Sequence, residues 1–180
     1  MFHTPSIEKT EAQAEAMGLP LVIKATEGKK ELELEDLREA LAESKEKFGI
    51  EGVVTGAVES VYQASRIQKI CFEIGLECFN PLWQKDQIEL LEDLIKEKFE
   101  VIIVGVFAYP LDKKWLGRKI DQNFIEEMKL LKEKWGINPA GEGGEFESFV
   151  LNCPLFNKRL VVKSFEDAGK ENSWRREVKL

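Results

Sequence analysis

The fold is decided by residues 49–83, GIEGVVTGAVESVYQASRIQKICFEIGLECFNPLW. An apolar run at 49–58 closes in small residues, and a second apolar run occupies 76–83. Between them, apolar side chains recur at helical spacing along one face, at Ile67, Ile70, Cys71 and Ile74. Strands that are apolar on both faces and joined through a helix are typical of parallel α/β units. The stretch therefore predicts a strand–helix–strand unit.

The same alternation continues on both sides of this unit. Further strand-like runs are 19–26 and 101–108, and helical patterns occupy 5–17, 32–48, 87–99 and 121–135. After these, the segments 141–156, 158–167 and 173–180 alternate more strictly and are typical of antiparallel strands. The sequence predicts an α/β protein with a doubly wound, mostly parallel sheet in a domain of residues 1–84. A smaller mixed α+β domain is predicted for residues 85–180.

Composition excludes several function classes. The chain has 180 residues, with 26 basic and 33 acidic side chains and a net charge of −7. This balance disfavours general nucleic-acid binding and anionic membranes, both of which need a basic face. The sequence has no apolar run near the ~20 residues of a membrane span, no signal-peptide pattern at its start and a single histidine, His3. We expect a cytoplasmic protein without a membrane segment or a metal site built from histidines; homo-oligomer formation is left open.

Polar and aromatic residues follow the predicted strands, where ligands bind in open α/β sheets. After the first strand come Gly56 and Ala57, which let a flat ring approach the backbone. Tyr62 and Arg66 lie one helical turn apart, and Arg66 suits a phosphate or carboxylate. The alternative is a tight turn with a solvated arginine. Trp83 follows the next strand and is either a ligand platform or a core residue.

The segment 141–148, GEGGEFES, carries the strongest chemical signal. Three glycines in four residues expose backbone amides to a ligand. Glu142, Glu145 and Glu147 place three carboxylates within six residues. Such a set could bind Mg²⁺, attract a quaternary ammonium group or act as a base. The alternative is three exposed acids on a hairpin.

Three separated blocks carry a family resemblance: 56–83, GVFAYPLDKKWLGRKID at 105–121, and GEGGEFESFVLNCPLF at 141–156. In this order they resemble the diphthine–ammonia ligase (diphthamide synthetase) family of PP-loop ATP-pyrophosphatases. The resemblance implies an ATP-dependent ligase that converts diphthine on elongation factor 2 to diphthamide with ammonia, releasing AMP and pyrophosphate. It also implies Mg²⁺ together with ATP, and elongation factor 2 as the protein partner.

The resemblance also assigns residues. The nucleotide would contact Gly56, Ala57, Tyr62, Gln63 and Arg66. The substrate would contact Asn80, Trp83, Trp115, Gly117, Glu142, Gly143 and Gly144. The catalytic candidates are Glu145, Glu147 and Arg118, with Glu145 as first choice for the trimethylammonium contact or for deprotonating ammonium.

One family feature has no counterpart in the sequence. The family opens with a strand and the loop SGGKDS, which holds the pyrophosphate, and neither this loop nor a GxxxxGK[ST] or GxGxxG substitute occurs here. We therefore expect the chain as printed to bind ATP poorly, unless an upstream segment supplies the loop. Two alternatives stay open: a pyrophosphatase acting on another carboxylate, and a non-catalytic module that keeps the binding pocket.

Overall fold

The computed structural model describes residues 5–26, 31 and 33–180. The helices are α1 (Thr10–Met17), α2 (Glu33–Phe48), α3 (Val61–Glu73), α4 (Gln87–Lys96) and α5 (Gln122–Trp135). The strands are β1 (Gly52–Val54), β2 (Glu77–Phe79), β3 (Glu100–Val106), β4 (Phe146–Asn152), β5 (Ser164–Lys170) and β6 (Ser173–Lys179). No helix among these is long and apolar enough to cross a bilayer.

The chain divides into two units. Unit 1 lies within Leu21–Lys85, and unit 2 combines residues 5–20 with Asp86–Leu180. The predicted domains of residues 1–84 and 85–180 stay a prediction, and the structure adds that α1 packs in unit 2. Its Ala16 is fully buried against the sheet of that unit.

Unit 1 contains the predicted strand–helix–strand. β1 and β2 pair in parallel, with Val53 opposite Cys78. The helix between them, α3, begins at Val61, before the apolar pattern that starts at Ile67. The Ser60 hydroxyl caps it by accepting a hydrogen bond from the Gln63 N–H at 3.3 Å. The sheet of unit 1 has two strands among the described residues, so the larger doubly wound sheet stays a prediction.

The strand predicted at 19–26 is wrong, because this segment has no strand structure. Pro20 lacks the N–H that a central strand must donate to its ladder. Leu19 and Ile23 are exposed, at 57% and 64% of their surface. An apolar run is not sufficient for a strand when the backbone has no neighbour to bond.

Unit 2 is built on a four-stranded sheet in the order β4-β3-β6-β5, with every pair antiparallel. The predicted antiparallel strands of the carboxy-terminal part are confirmed. The inclusion of 101–108 among the parallel strands is wrong, because β3 pairs antiparallel with both neighbours. β3 is buried on both faces, by α4 and α5 residues on one side and by α1 on the other. Burial on both faces, and not strand direction, made this segment uniformly apolar.

Ser6 anchors the amino-terminal segment in unit 2. β3 pairs with β6 only at Gly105 and Val106. Beyond that pair, the Ser6 hydroxyl donates to the Arg176 carbonyl and accepts from the Val178 N–H, each at 3.0 Å. A side chain thus satisfies backbone groups of β6 that no strand reaches.

Residues 117–120 lie beside the first part of β3, where β6 does not pair with it. The Gly117 N–H donates to the Ile103 carbonyl at 2.8 Å, and the Ile103 N–H donates to the Arg118 carbonyl at 2.9 Å. Gly117 has a φ of +81°, and a Cβ there would overlap the guanidinium of Arg176. That guanidinium is held by Asp167 at 2.8 and 3.0 Å, so it cannot move without breaking this pair.

We expect Gly117→Ala to lower the free energy of unfolding by about 2–4 kcal/mol, because it adds a steric conflict to the cost of a left-handed residue. Gly136→Ala is the matched control, since Gly136 has a φ of +68° with no atom within 4 Å of a Cβ. It should cost only about 1 kcal/mol. Urea unfolding measures both, and equal losses would contradict the packing of Arg176 against Gly117.

Candidate functional site

The predicted site residues fall into two groups, one in each unit. Unit 1 holds Gly56, Ala57, Tyr62, Gln63, Arg66, Asn80 and Trp83. Unit 2 holds Trp115, Gly117, Arg118, Glu142, Gly143, Gly144, Glu145 and Glu147. Within each unit the structure brings together blocks that are far apart in sequence.

In unit 1 the carboxyl ends of β1 and β2 meet. The Thr55 N–H donates to the Phe79 carbonyl at 3.0 Å and extends the strand pairing by one residue. The Thr55 hydroxyl also donates to the side-chain oxygen of Asn80. Gly56 and Asn80 therefore lie at the same sheet edge, as expected for parallel strands.

This edge leaves room for a flat group. A Cβ built on Gly56 would meet no atom within 4 Å, while the neighbouring Ala57 is buried. Trp83 closes a turn by donating its backbone N–H to the Asn80 carbonyl at 3.1 Å, and its side chain is 36% exposed. The open backbone at Gly56 beside a polar amide fits the base or sugar of a nucleotide.

Tyr62 and Arg66 interact with each other and with Glu31, a residue that the sequence reasoning missed. The Arg66 guanidinium lies 3.6 Å from the centre of the Tyr62 ring. Its Nε and Nη2 donate to Glu31 Oε1 at 3.0 and 2.6 Å, and the Tyr62 hydroxyl donates to the same oxygen at 3.1 Å. The bond to Glu31 raises the pKa of Arg66. A phosphate at Arg66 would have to displace this carboxylate.

In unit 2 the glycine-rich loop is organised around Glu145, which is 8% exposed. Its Oε1 accepts from the Asn138 backbone N–H at 3.0 Å and from the Asn138 side-chain amide at 2.7 Å. Its Oε2 accepts from the Gly143 N–H at 2.8 Å. Both carboxylate oxygens are thus used inside the unit, and the backbone of Glu145 also accepts from the Phe107 N–H at 2.8 Å.

Gln87 forms a further layer around this carboxylate. It is 6% exposed at the start of α4. Its amide donates to Asn138 Oδ1 at 3.3 Å and accepts from the Ala140 N–H at 3.0 Å. Gln87 and Asn138 were not predicted as site residues. The available signals were a polar residue opening an apolar helix and an Asn-Pro pair before the glycines, and neither indicates a partner.

The three glutamates of the block differ in their surroundings. Glu145 is buried, whereas Glu142 and Glu147 are half-buried. Glu147 lies on β4 opposite Gly105, and Gly105 also lies opposite Arg175 of β6. Among the described residues, no three His, Cys, Asp or Glu side chains are placed to hold a metal ion.

Arg118 lies at the surface of unit 2. Its Nη1 and Nη2 donate to the two oxygens of Glu127, each at 2.7 Å, and its guanidinium lies 4.2 Å from the centre of the Trp115 ring. The ion pair raises the pKa of Arg118 and lowers that of Glu127. Trp115 contacts Phe124 edge to face, and Phe124 contacts Phe146 in the same way, both with centres 5.8 Å apart. The rings join the 115–118 block to the glycine-rich block.

A depression of about 520 Å³ adjoins this ion pair. Its lining is polar and charged, and consists of Arg118, Lys119, Asp121, Asn123, Glu126 and Glu127.

Comparison with known proteins identifies the family. The model of the diphthamide synthase N-terminal domain matches residues 1–78, and that of the diphthamide synthase C-terminal domain matches residues 86–179. The chain belongs to the diphthamide synthase family. It is 38% identical to a Bos taurus protein and 37% identical to a Homo sapiens protein, both named diphthine–ammonia ligase, over 92% of this chain. A Danio rerio protein of the same name is 36% identical.

The family match confirms the resemblance that the three sequence blocks indicated. The chain spans 66% of the length of the Bos taurus and Homo sapiens relatives. The roles of the individual residues stay predictions.

We expect Glu145→Gln to destabilise this diphthamide synthase family member by about 1–3 kcal/mol, because a glutamine would turn an N–H group toward donors that now share the carboxylate. Glu133→Gln is the control, since Glu133 is exposed on α5 of the same unit. It should change the unfolding free energy by less than about 0.5 kcal/mol. Urea unfolding followed by tryptophan fluorescence compares the two variants. Equal stability of both would contradict the conclusion that the Glu145 carboxylate holds the loop together.

Proposed function

We propose that this protein is an ATP-dependent diphthine–ammonia ligase acting on elongation factor 2. The observation that carries the proposal is the match of both diphthamide synthase domain models, together with relatives named diphthine–ammonia ligase. The overall reaction joins the diphthine carboxylate and ammonia into a carboxamide, and releases AMP and pyrophosphate. The cytoplasmic location stays a prediction from the sequence.

The chemical difficulty lies in the carboxylate. Ammonia does not displace oxygen from an ionised carboxylate, because the leaving group would be too basic. ATP, with Mg²⁺ on its phosphates, supplies AMP as a leaving group that departs with one carboxylate oxygen. The protein then has to bind the nucleotide, orient the acceptor and accept a proton from the attacking nitrogen.

Unit 1 supplies the nucleotide contacts in this proposal. The base or sugar lies against Gly56, where the backbone is open, next to the buried Ala57. Tyr62 and Gln63 lie at the start of α3, and Arg66 provides a cation once it exchanges Glu31 for a phosphate. Support comes from the position of Gly56 and Ala57 directly after β1, since ligands of open α/β sheets bind at the carboxyl ends of the strands.

Unit 2 supplies the acceptor contacts. Gly143 and Gly144 are exposed on a loop fixed by Glu145. We assign Glu145 a positioning role, because its oxygens already accept three N–H groups. Glu147 is then the candidate that accepts the proton of the attacking nitrogen. Arg118 keeps the role of a catalytic candidate, with Trp115, Gly117 and Glu142 of the same unit as substrate-binding candidates. Asn80 and Trp83, the remaining substrate-binding candidates, belong to unit 1.

The assay measures AMP release by the protein purified from its own cells. ATP, Mg²⁺, ammonium and elongation factor 2 carrying diphthine are supplied, and the control factor carries unmodified histidine. We expect AMP release that requires ammonium and occurs only with the diphthine-bearing factor.

The outcome separates the three readings. AMP release with other carboxylates and not with diphthine would indicate a different pyrophosphatase. Capture of elongation factor 2 without any AMP release would indicate a binding module.

The nucleotide assignment has a separate test in Gly56→Leu. Because a Cβ at Gly56 would meet no atom within 4 Å, a leucine there should fill the open space at little cost in stability, and we expect AMP to bind at least about ten-fold more weakly. Gln68→Leu adds the same side chain at an exposed position of α3 and should leave AMP binding unchanged. Amide shifts of residues 55–58 and 80 during an AMP titration report the affinity. Equal affinities of the two variants would remove Gly56 from the site.

A further inference from the structure

A substrate with a trimethylammonium group needs a partner in the acceptor unit, and Glu145 cannot supply it. Its two carboxylate oxygens accept three N–H groups inside the unit, and its surface is 8% exposed. A quaternary ammonium group has no N–H to donate, so it is recognised by a negative field and by apolar contact with its methyl groups. Aromatic ring faces supply both.

Unit 2 has an exposed aromatic corner, formed by Tyr109 and Trp135. The two ring centres are 4.9 Å apart and the ring planes meet at 90°. Tyr109 is 61% exposed and Trp135 is 45% exposed. The other ring pairs described above, Trp115 with Phe124 and Phe124 with Phe146, pack in the core of the same unit. The rings meet edge to face and remain partly open to solvent, and an exposed aromatic face is a surface that binds a quaternary ammonium group.

The two chain segments that carry the aromatic corner are hydrogen-bonded to Glu145 of the glycine-rich loop. Phe107, two residues before Tyr109, donates its N–H to the Glu145 carbonyl at 2.8 Å. Asn138, three residues after Trp135, donates to the Glu145 carboxylate. The backbone spans at most ~3.6 Å per residue. The Cα atom of Tyr109 therefore lies within about 7 Å of that of Phe107, and the Cα atom of Trp135 within about 11 Å of that of Asn138.

Tyr109 and Trp135 both belong to backbone turns that are closed by hydrogen bonds. The Leu111 N–H donates to the Ala108 carbonyl at 2.9 Å and closes the turn that carries Tyr109. Gly136 ends α5 in a left-handed conformation, with its N–H bonded to the Lys132 carbonyl at 3.0 Å, and this sets the position of Trp135. A pre-formed corner loses little conformational entropy when it binds a ligand.

A cation already lies over one of these rings. The ammonium of Lys134 is 5.2 Å from the centre of the Trp135 ring, within the range of a cation–π contact. An ammonium is a strongly hydrated point charge, whereas a trimethylammonium group is more weakly hydrated and presents methyl groups to the ring. The larger cation therefore competes well for the same face.

We propose that Tyr109 and Trp135 bind the trimethylammonium group of diphthine and so determine the specificity of the acceptor site. The identity of the substrate rests on the proposed function; the recognition of a quaternary ammonium group by the aromatic corner does not. The probe for the corner is choline, and its control is 3,3-dimethylbutan-1-ol, which has the same shape without the charge.

The binding experiment follows the indole N–H signals of the ¹⁵N-labelled chain by NMR. We expect choline to shift the Trp135 signal saturably at millimolar concentration, and the neutral alcohol to shift it at least five-fold less. Trp174 is an internal control, because it also has a lysine near its ring, with Lys113 at 5.0 Å, but is not part of the aromatic corner. Its indole N–H is bonded to the Glu171 carbonyl at 2.9 Å, and we expect its signal to stay unshifted. Equal shifts with both probes, or no shift at Trp135, would overturn the proposal.

The activity experiment compares Trp135→Leu and Tyr109→Leu with Trp135→Phe, which keeps an aromatic face. We expect the leucine variants to raise KM for the diphthine-bearing factor at least ten-fold, with KM for ATP unchanged and kcat within three-fold, and the phenylalanine variant to recover most of the loss. An unchanged KM in the leucine variants would overturn the proposal. If the unaltered protein releases no AMP, the proposed function fails, and the choline titration alone decides whether the aromatic corner binds quaternary ammonium groups.

Discussion

The buried carboxylate of Glu145 is the interaction on which the order of unit 2 depends. A carboxylate with 8% exposure is costly unless hydrogen bonds replace its water. Here the donors come from Asn138 and Gly143, which lie on either side of the loop's first glycine. Gln87 in turn holds Asn138 in place. The carboxylate of Glu145 therefore fixes the loop, and its backbone carbonyl joins the start of β4 to the end of β3.

Much of the local structure follows from sequence pattern. The β1–α3–β2 unit is predictable because its apolar spacing is a local feature, whereas the start of α3 at Val61, behind the Ser60 cap, was not predicted. The direction of β3 is not, since a strand covered on both faces is apolar in parallel and antiparallel sheets alike. In the segment 19–26 the pattern predicted a strand that does not form. Its composition suits a strand, but a strand also requires a neighbouring backbone to which it can hydrogen-bond.

The sequence indicates which glycines, aromatic residues and acids are candidates for the site. It does not indicate which side chains bond to each other there. Glu31 bonds to Arg66 across 35 residues, and Gln87 bonds to Asn138 across 51. No single sequence reports which of many surface glutamates meets a given arginine. Burial of Glu145 was missed for the same reason, because two of its three donors are backbone amides that any residue carries, and the third is the side chain of Asn138, which no pattern pairs with it.

Ser6 has a consequence for the order of folding during synthesis. Its hydroxyl bonds to Val178, 172 residues further along the chain. Unit 2 therefore has contacts of very high sequence separation, and such contacts slow folding because a long loop must close first. The described part of unit 1 lies within Leu21–Lys85 and makes no use of β6, so this part can form while the ribosome is still translating β6. Until β6 emerges, the Ser6 hydroxyl lacks the two backbone groups that it bonds in the folded unit.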